Sequence, residues 1–193
     1  MKKYLTIVTC MVFALAMLVA AQTQAGPTKQ SLKKRLTYSR AVEAIVWSMP
    51  LMSFKAMRDG HKEDAGVGFN EIAYNSKVQD WRLQITTPNN TTPYVMAFWN
   101  VEDGPVVIEI PPTEKGVGLF GVIMDSWQRP LEDVGAKGKD QGLGGKYLII
   151  PPNYRGSLPI EGYIPLHQKT NQRYFLLRPI ISDTSKENLK RAE

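Results

Sequence analysis

Residues 94–110 read YVMAFWNVEDGPVVIEI, two apolar runs rich in aromatic and β-branched residues, divided by Asp103, Gly104 and Pro105. Each run is too short for a typical helix, and an Asp-Gly pair suits a tight turn, so the stretch reads as two strands joined by a turn. The pattern recurs on both sides. "WRLQIT" (81–86) precedes it, and "GLFGVIMDSW" (118–127), "KYLII" (146–150), "GYIPLH" (162–167) and "RYFLLRPI" (173–180) follow, each bounded by glycine or proline. Seven such runs predict a mainly β, α+β protein with an antiparallel β-sandwich or jelly-roll-like core. "GAKGKDQGLGGK" (135–146) reads as a long flexible loop between two of them.

Outside this region the period changes. After a polar, basic approach from Thr28 to Arg35, "SRAVEAIVWSMPLMSFKAMRDG" (39–60) repeats apolar residues at helical steps through Ala41, Ile45, Met49, Met52 and Met57. Pro50 predicts a kink, or two short helices meeting near Met49, with Gly60 as the stop and "HKEDAGVG" (61–68) as loop. At the other end, Thr184 with Glu187 three residues on forms a capping-box pattern at the start of a short C-terminal helix. The expected organisation is thus a signal peptide over 1–25, an N-terminal helical segment over 26–68, a β-rich domain over 69–183 and a helix start over 184–193.

The opening residues are those of a secretory signal. Lys2 and Lys3 lead an apolar run from Tyr4 to about Ala21, and Thr23-Gln24-Ala25 offers a small-residue cleavage site before Gly26. An uncleaved anchor helix is the rival reading, because the run is just long enough to span a bilayer. Cleavage predicts a periplasmic or secreted bacterial protein that meets the membrane only through its signal. Removing residues 1–25 takes away two lysines and no acid, leaving 22 Lys and Arg against 18 Asp and Glu, a net charge of +4. So mild a charge gives no basic patch for nucleic acid. The one cysteine, Cys10, leaves with the signal, so packing alone must hold the remaining domain.

No motif supplies a reaction. "GVGLFG" (116–121) matches G-x-G-x-x-G but continues into a strand where a dinucleotide fold needs a helix, so its glycines are expected to serve close packing or a bulge. "GLGGKY" (142–147) has Tyr147 where a phosphate loop needs Ser or Thr. His61 and His167 are far apart in sequence and no cysteine accompanies them, so neither metal nor cofactor is expected, and the catalytic residues stay unassigned. The sequons formed around Asn89 and Asn90 carry no weight behind a bacterial signal.

"TPNNTTPYVMAFWNVEDGPVVIEIPP", "GLFGVIMDSWQRPLEDVGAKG", "GGKYLIIPPNY" and "EGYIPLHQKTNQRYFLLRPI" occur in that order and resemble the landmarks of the bacterial domain of unknown function 1254. These landmarks are a P-N-N-D-T-x-Y segment, a "GPVV" strand, a strand ending in aspartate, a G-x-R-x-x-G loop, a "YL" strand and a final arginine-bearing strand. The resemblance runs from about Phe69 to Ile181. Thr91 stands where the family has its aspartate, and Lys137 stands at the loop arginine. The resemblance implies a β-rich, often exported protein, commonly followed by a second β-rich domain, and it implies no reaction.

Two roles are open to the loop before residue 94. Asn89 and Asn90 can tie it through side-chain to backbone bonds, or Asn89, Asn90, Thr91 and Tyr94 can face a small polar ligand over a floor of Phe98 or Trp99. Asp125, Trp127 and Arg173 complete the set of candidate binding residues. The leading expectation is an exported binding module for a small polar ligand or an envelope partner. The alternatives are a hydrolase-like enzyme, in which Asp125 and Arg173 assist the Asn89-Asn90 loop, and an inactive remnant of a two-domain enzyme. Surplus apolar residues in "YFLLRPII" further predict a homo-oligomer, or a separately encoded companion, contacting the segment from Arg173 to Leu189.

Overall fold

The protein, seen in a computed structural model, is described over residues 11–14, 16, 17, 26–82, 89–113, 117–159 and 161–193. Most of the expected signal, the greater part of the "WRLQIT" strand, Thr86 to Pro88 of the loop, and Gly116 lie outside the described residues. By its internal contacts the chain divides into two compact units, residues 1–47 and 48–193.

Helix α1 spans Lys29–Ala65 as one element, so of the two arrangements expected near Met49, a kink or two short helices, the second does not occur. It begins before Arg35 because Thr28 caps it: the Thr28 hydroxyl accepts from the Ser31 amide at 3.2 Å, and the Thr28 carbonyl accepts from the Leu32 amide at 2.9 Å. Pro50 removes one backbone bond, yet the helix runs on, since tertiary packing holds the turns beyond it. Phe54 is buried against the sheet, and the Pro50 carbonyl accepts from Gln128 Nε2 at 2.9 Å. Gly60 also stays helical. The stop is Gly66, in the left-handed region at φ 68°, which lets the Val67 amide return to the His61 carbonyl.

Eight strands follow among the described residues: β1 Glu71–Asn75, β2 Tyr94–Asn100, β3 Val106–Ile110, β4 Gly118–Asp125, β5 Pro130–Gly135, β6 Gly145–Ile150, β7 Ile164–His167 and β8 Gln172–Ile180. They form a five-stranded sheet in the order β1-β2-β8-β4-β5 and a three-stranded sheet in the order β3-β6-β7. The mainly β class with flanking helices is as the sequence predicts. All pairings are antiparallel except β6 with β7, which is parallel. Strands β1 and β5 were not among the seven predicted runs.

The main core is built from the inward residues of both sheets, among them Ala97, Trp99, Ile123, Tyr147, Ile149, Phe175 and Leu177. A second cluster on the outer face of the larger sheet joins Phe54 of α1 to Phe98 and Tyr174. This corrects the reasoning from "YFLLRPII". Strand β8 lies mid-sheet and is covered on both faces, with Phe175 and Leu177 turned to one cluster and Tyr174 to the other, while Ile180 is exposed.

Gly121 shows why β4 carries glycines. A Cβ there would sit 2.4 Å from the Leu176 carbonyl oxygen on the neighbouring strand. The 135–146 loop is likewise not the slack connection expected from its composition. Asp140, buried beneath it, accepts from the Gly135 amide and the Tyr147 hydroxyl, each at 2.8 Å. At the C-terminus, helix α2 spans Lys186–Arg191 and is capped by Ser185 rather than Thr184. The Asp183 carboxylate takes the Ser185 amide at 2.8 Å, which leaves the Ser185 hydroxyl to accept from Asn188 at 3.3 Å.

Candidate functional site

Between strands of the larger sheet and β3 of the smaller one lies a cavity of about 570 Å³. Its walls are the inward residues of β2, β8 and β3, chiefly Val95, Ala97, Trp99, Phe175, Leu177 and Ile108. Alternation along each strand explains this lining, because every second side chain faces the other sheet. Asn70, Glu109 and Thr113, with residues 191–193, supply polar groups to the lining. At its inner end Trp99 packs on Phe175, ring centres 5.7 Å apart, and the buried indole Nε1 has no hydrogen-bond partner among the described residues.

One row of paired residues crosses the larger sheet from this cavity. Trp99 on β2 is opposite Arg173 on β8, which is opposite Asp125 on β4. Arg173 is fully buried, and burial lowers its guanidinium to about 10, with the Asp125 charge acting against that shift. It therefore remains a cation at neutral pH. The Asp125 carboxylate is already engaged. One oxygen accepts the Trp127 and Arg129 amides at 2.8 and 3.0 Å, and the other accepts Arg129 Nε and Nη2 at 2.7 and 2.6 Å. Beside it lies a second cavity of about 240 Å³, lined by Asp125, Arg129, Pro130, Leu131, His167, Gln168 and Lys169.

The predicted site residues thus fall into two groups. Asp125, Trp127 and Arg173 come together, Trp127 through its backbone amide. Asn89, Asn90, Thr91 and Tyr94 stand at the other end of β2, where the five steps from Tyr94 to Trp99 span about 17 Å at a strand's rise of about 3.4 Å. Asn89 Oδ1 accepts the Thr91 amide at 2.8 Å and the Thr91 hydroxyl at 2.7 Å, which ties the loop to itself. Asn90 is exposed, and the Tyr94 ring carries the Arg178 guanidinium 5.1 Å from its centre. Neither cavity is lined by residues 89–94. Trp99 does form a cavity floor, but Phe98, the other floor residue expected, faces α1 instead.

Gln168 and Arg129 were missed in the sequence, where nothing distinguishes them from surface polar residues. Among the described residues no group of three or more His, Cys, Asp or Glu side chains is placed to hold a metal ion.

Comparison with solved structures finds the same fold in the VPA0106 protein from Vibrio parahaemolyticus, with a TM-score of 0.58 and 16% sequence identity. The match covers 77% of this chain and 34% of that one, so the chain spans about a third of the length of its solved relative. No curated protein matches. The family model described as Protein of unknown function (DUF1254) matches residues 69–193, from the bridge at Phe69 beside β2 through helix α2. With that match over more than half its length, the chain belongs to the DUF1254 family.

Proposed function

We propose that this protein is an exported, non-catalytic binding module that takes a small molecule with an apolar body into the cavity between its sheets. The observation that carries the reading is the cavity itself, about 570 Å³ with mainly apolar walls, which lies within the roughly 300–1,000 Å³ common for small-molecule sites. The polar groups among its lining residues suit a ligand with one hydrated end. Export rests on the basic start, apolar run and small-residue site of residues 1–25. The geometry favours binding over hydrolysis, because the Asn89-Asn90 loop and the Asp125–Arg173 row stand too far apart to act on one bond.

A titration with an apolar fluorophore tests the site. Anilinonaphthalene sulfonate should bind the mature protein saturably, and Ile108→Trp, which directs an indole into the cavity, should weaken binding at least about tenfold while the fold persists. Equal binding by the variant would remove the cavity from the proposal. Recovery of the unprocessed precursor from the bacterial cytoplasm would remove export.

A further inference from the structure

Helix α1 carries an ordered apolar stripe that the fold leaves in water. Tyr38, Val42, Ile45, Met49, Met52 and Ala56 recur at alternating steps of four and three residues, so they stack along one side of the helix. All six are exposed, Tyr38 at 73% and Met49 at 60%. Phe54, which docks on Phe98 and Tyr174, lies two residues from both Met52 and Ala56. Two residues are about 200° of helical turn, so at Met52 and Ala56 the stripe faces away from the sheet.

The spacing says what fits there. Apolar residues at alternating four- and three-residue steps are the core positions of a coiled coil, a seam that a second helix closes by setting its own side chains between them. The residues flanking the seam are mostly small, with Ser39, Ala41, Ser48 and Ser53 among them, so a second helix can approach closely.

Charge then selects the partner and its direction. The first half of α1 carries Lys29, Lys33, Lys34, Arg35 and Arg40 against Glu43 alone, whereas in its last turns Asp59, Glu63 and Asp64 offset Lys55, Arg58 and Lys62. Two copies running the same way would bring their basic ends together. Running opposite ways, each basic end lies along the acid-bearing last turns of the other. With Ile45 against Met49 of the second copy, Val42 meets Met52 and Tyr38 meets Ala56, the largest side chain against the smallest. The same register sets residues 29–35 beside residues 59–65.

From these constraints we propose that α1 pairs with α1 of a second copy as an antiparallel two-helix coiled coil along the stripe from Tyr38 to Ala56. The seam is short, so the association is weak, with a dissociation constant on the order of 10 µM, and a dilute chain is a monomer whose stripe meets water. No residue of α1 lines either cavity, so the pairing does not depend on the function proposed above.

Sedimentation equilibrium of the mature protein from about 1 to 200 µM tests the pairing, and the parent should pass from monomer to dimer across that range. Met49→Glu puts a carboxylate into the seam of each copy and should weaken the dimer at least about hundredfold. Its far-ultraviolet circular dichroism should match that of the parent, because the position is exposed in the single chain. Without residues 1–25 the chain has no cysteine. Val42→Cys and Met52→Cys chains, mixed under mild oxidation, should therefore cross-link to each other in preference to themselves. A parent that stays monomeric at the highest concentration, or a dimer unmoved by Met49→Glu, overturns the proposal. Predominant cross-links between two copies of position 42, or two of position 52, overturn the antiparallel direction. Binding of a monomeric parent to anionic lipid vesicles, abolished by Met49→Glu, gives the stripe to a membrane surface and overturns the pairing.

Discussion

Replacing Phe54 with alanine should loosen the attachment of helix α1 to the sheet. Phe54 is 2% exposed, and its ring lies 5.6 Å from Phe98, edge-on, and 5.7 Å from Tyr174. Truncation removes the transfer energy of the ring and leaves a hole that Leu51 and Met57, fixed on the same helix, fill only in part. Phe→Ala at a site this buried costs about 3–5 kcal/mol, of which the two ring pairs account for about 0.5–1.5 kcal/mol each. With a urea dependence of about 2 kcal/mol per molar for a domain of this size, the midpoint should fall by about 1.5–2.5 M. Met52→Ala, on the same helix but exposed, is the control and should change stability by less than about 0.5 kcal/mol. Urea unfolding should be followed by tryptophan fluorescence and far-ultraviolet circular dichroism together, so that helix detachment ahead of the sheet is seen as two separated transitions. A single transition shifted by less than about 0.5 M would refute the packing of α1 on Phe98 and Tyr174.

Alkaline pH offers a second test. Burial, and then the Asp125 charge, raises the Tyr174 phenol from 10.0 to about 12, so its stabilising contribution is whole below pH 10 and is lost as pH climbs to 12. Arg173, lowered by burial from its ordinary value to about 10, acts in the opposite direction over much of that window. The melting temperature of Tyr174→Phe should therefore fall less steeply than that of the parent between pH 10 and 12, and that of Arg173→Met more steeply. Tyr147→Phe removes the hydroxyl that donates to buried Asp140 and should cost about 1–3 kcal/mol in urea unfolding, whereas no loss would mean that Asp140 finds another donor. Asn89→Ala breaks the three side-chain bonds by which Asn89 ties the loop and should cost about 0.5–1.5 kcal/mol while leaving fluorophore binding in the large cavity unchanged.

Much of the architecture was legible because strand signals are local. The runs from Tyr94 to Ile180 announce themselves by β-branched and aromatic residues between turn residues, and six of the seven predicted runs correspond to described strands. β1 escaped because "EIAYN" is short and mostly exposed, and β5 because "PLEDVG" mixes acids with apolar residues at a sheet edge. The uninterrupted α1 was hidden for a different reason: Pro50 and Gly60 are helix breakers by local preference, and what overrides them is Phe54 docking on rings more than forty residues away. Of the candidate site, Asp125 and Arg173 could be picked out as charges at strand positions. Their register across β4 and β8, and the arrival of Gln168 beside them, depend on strand pairing that no spacing in the sequence encodes. The cavity between the sheets was illegible because its lining residues are indistinguishable in sequence from those that fill the core.

The position of β8 has a consequence for how the molecule assembles. Residues 172–180 are the only link between β2 and β4 in the larger sheet, yet they emerge after every other strand described. Without them β1-β2 and β4-β5 would share no strand pairing, and the larger sheet is completed through contacts distant in sequence. Folding that waits for distant contacts is slow. Completion of the larger sheet therefore rests on the pairing of β8 with both of its neighbours, β2 and β4.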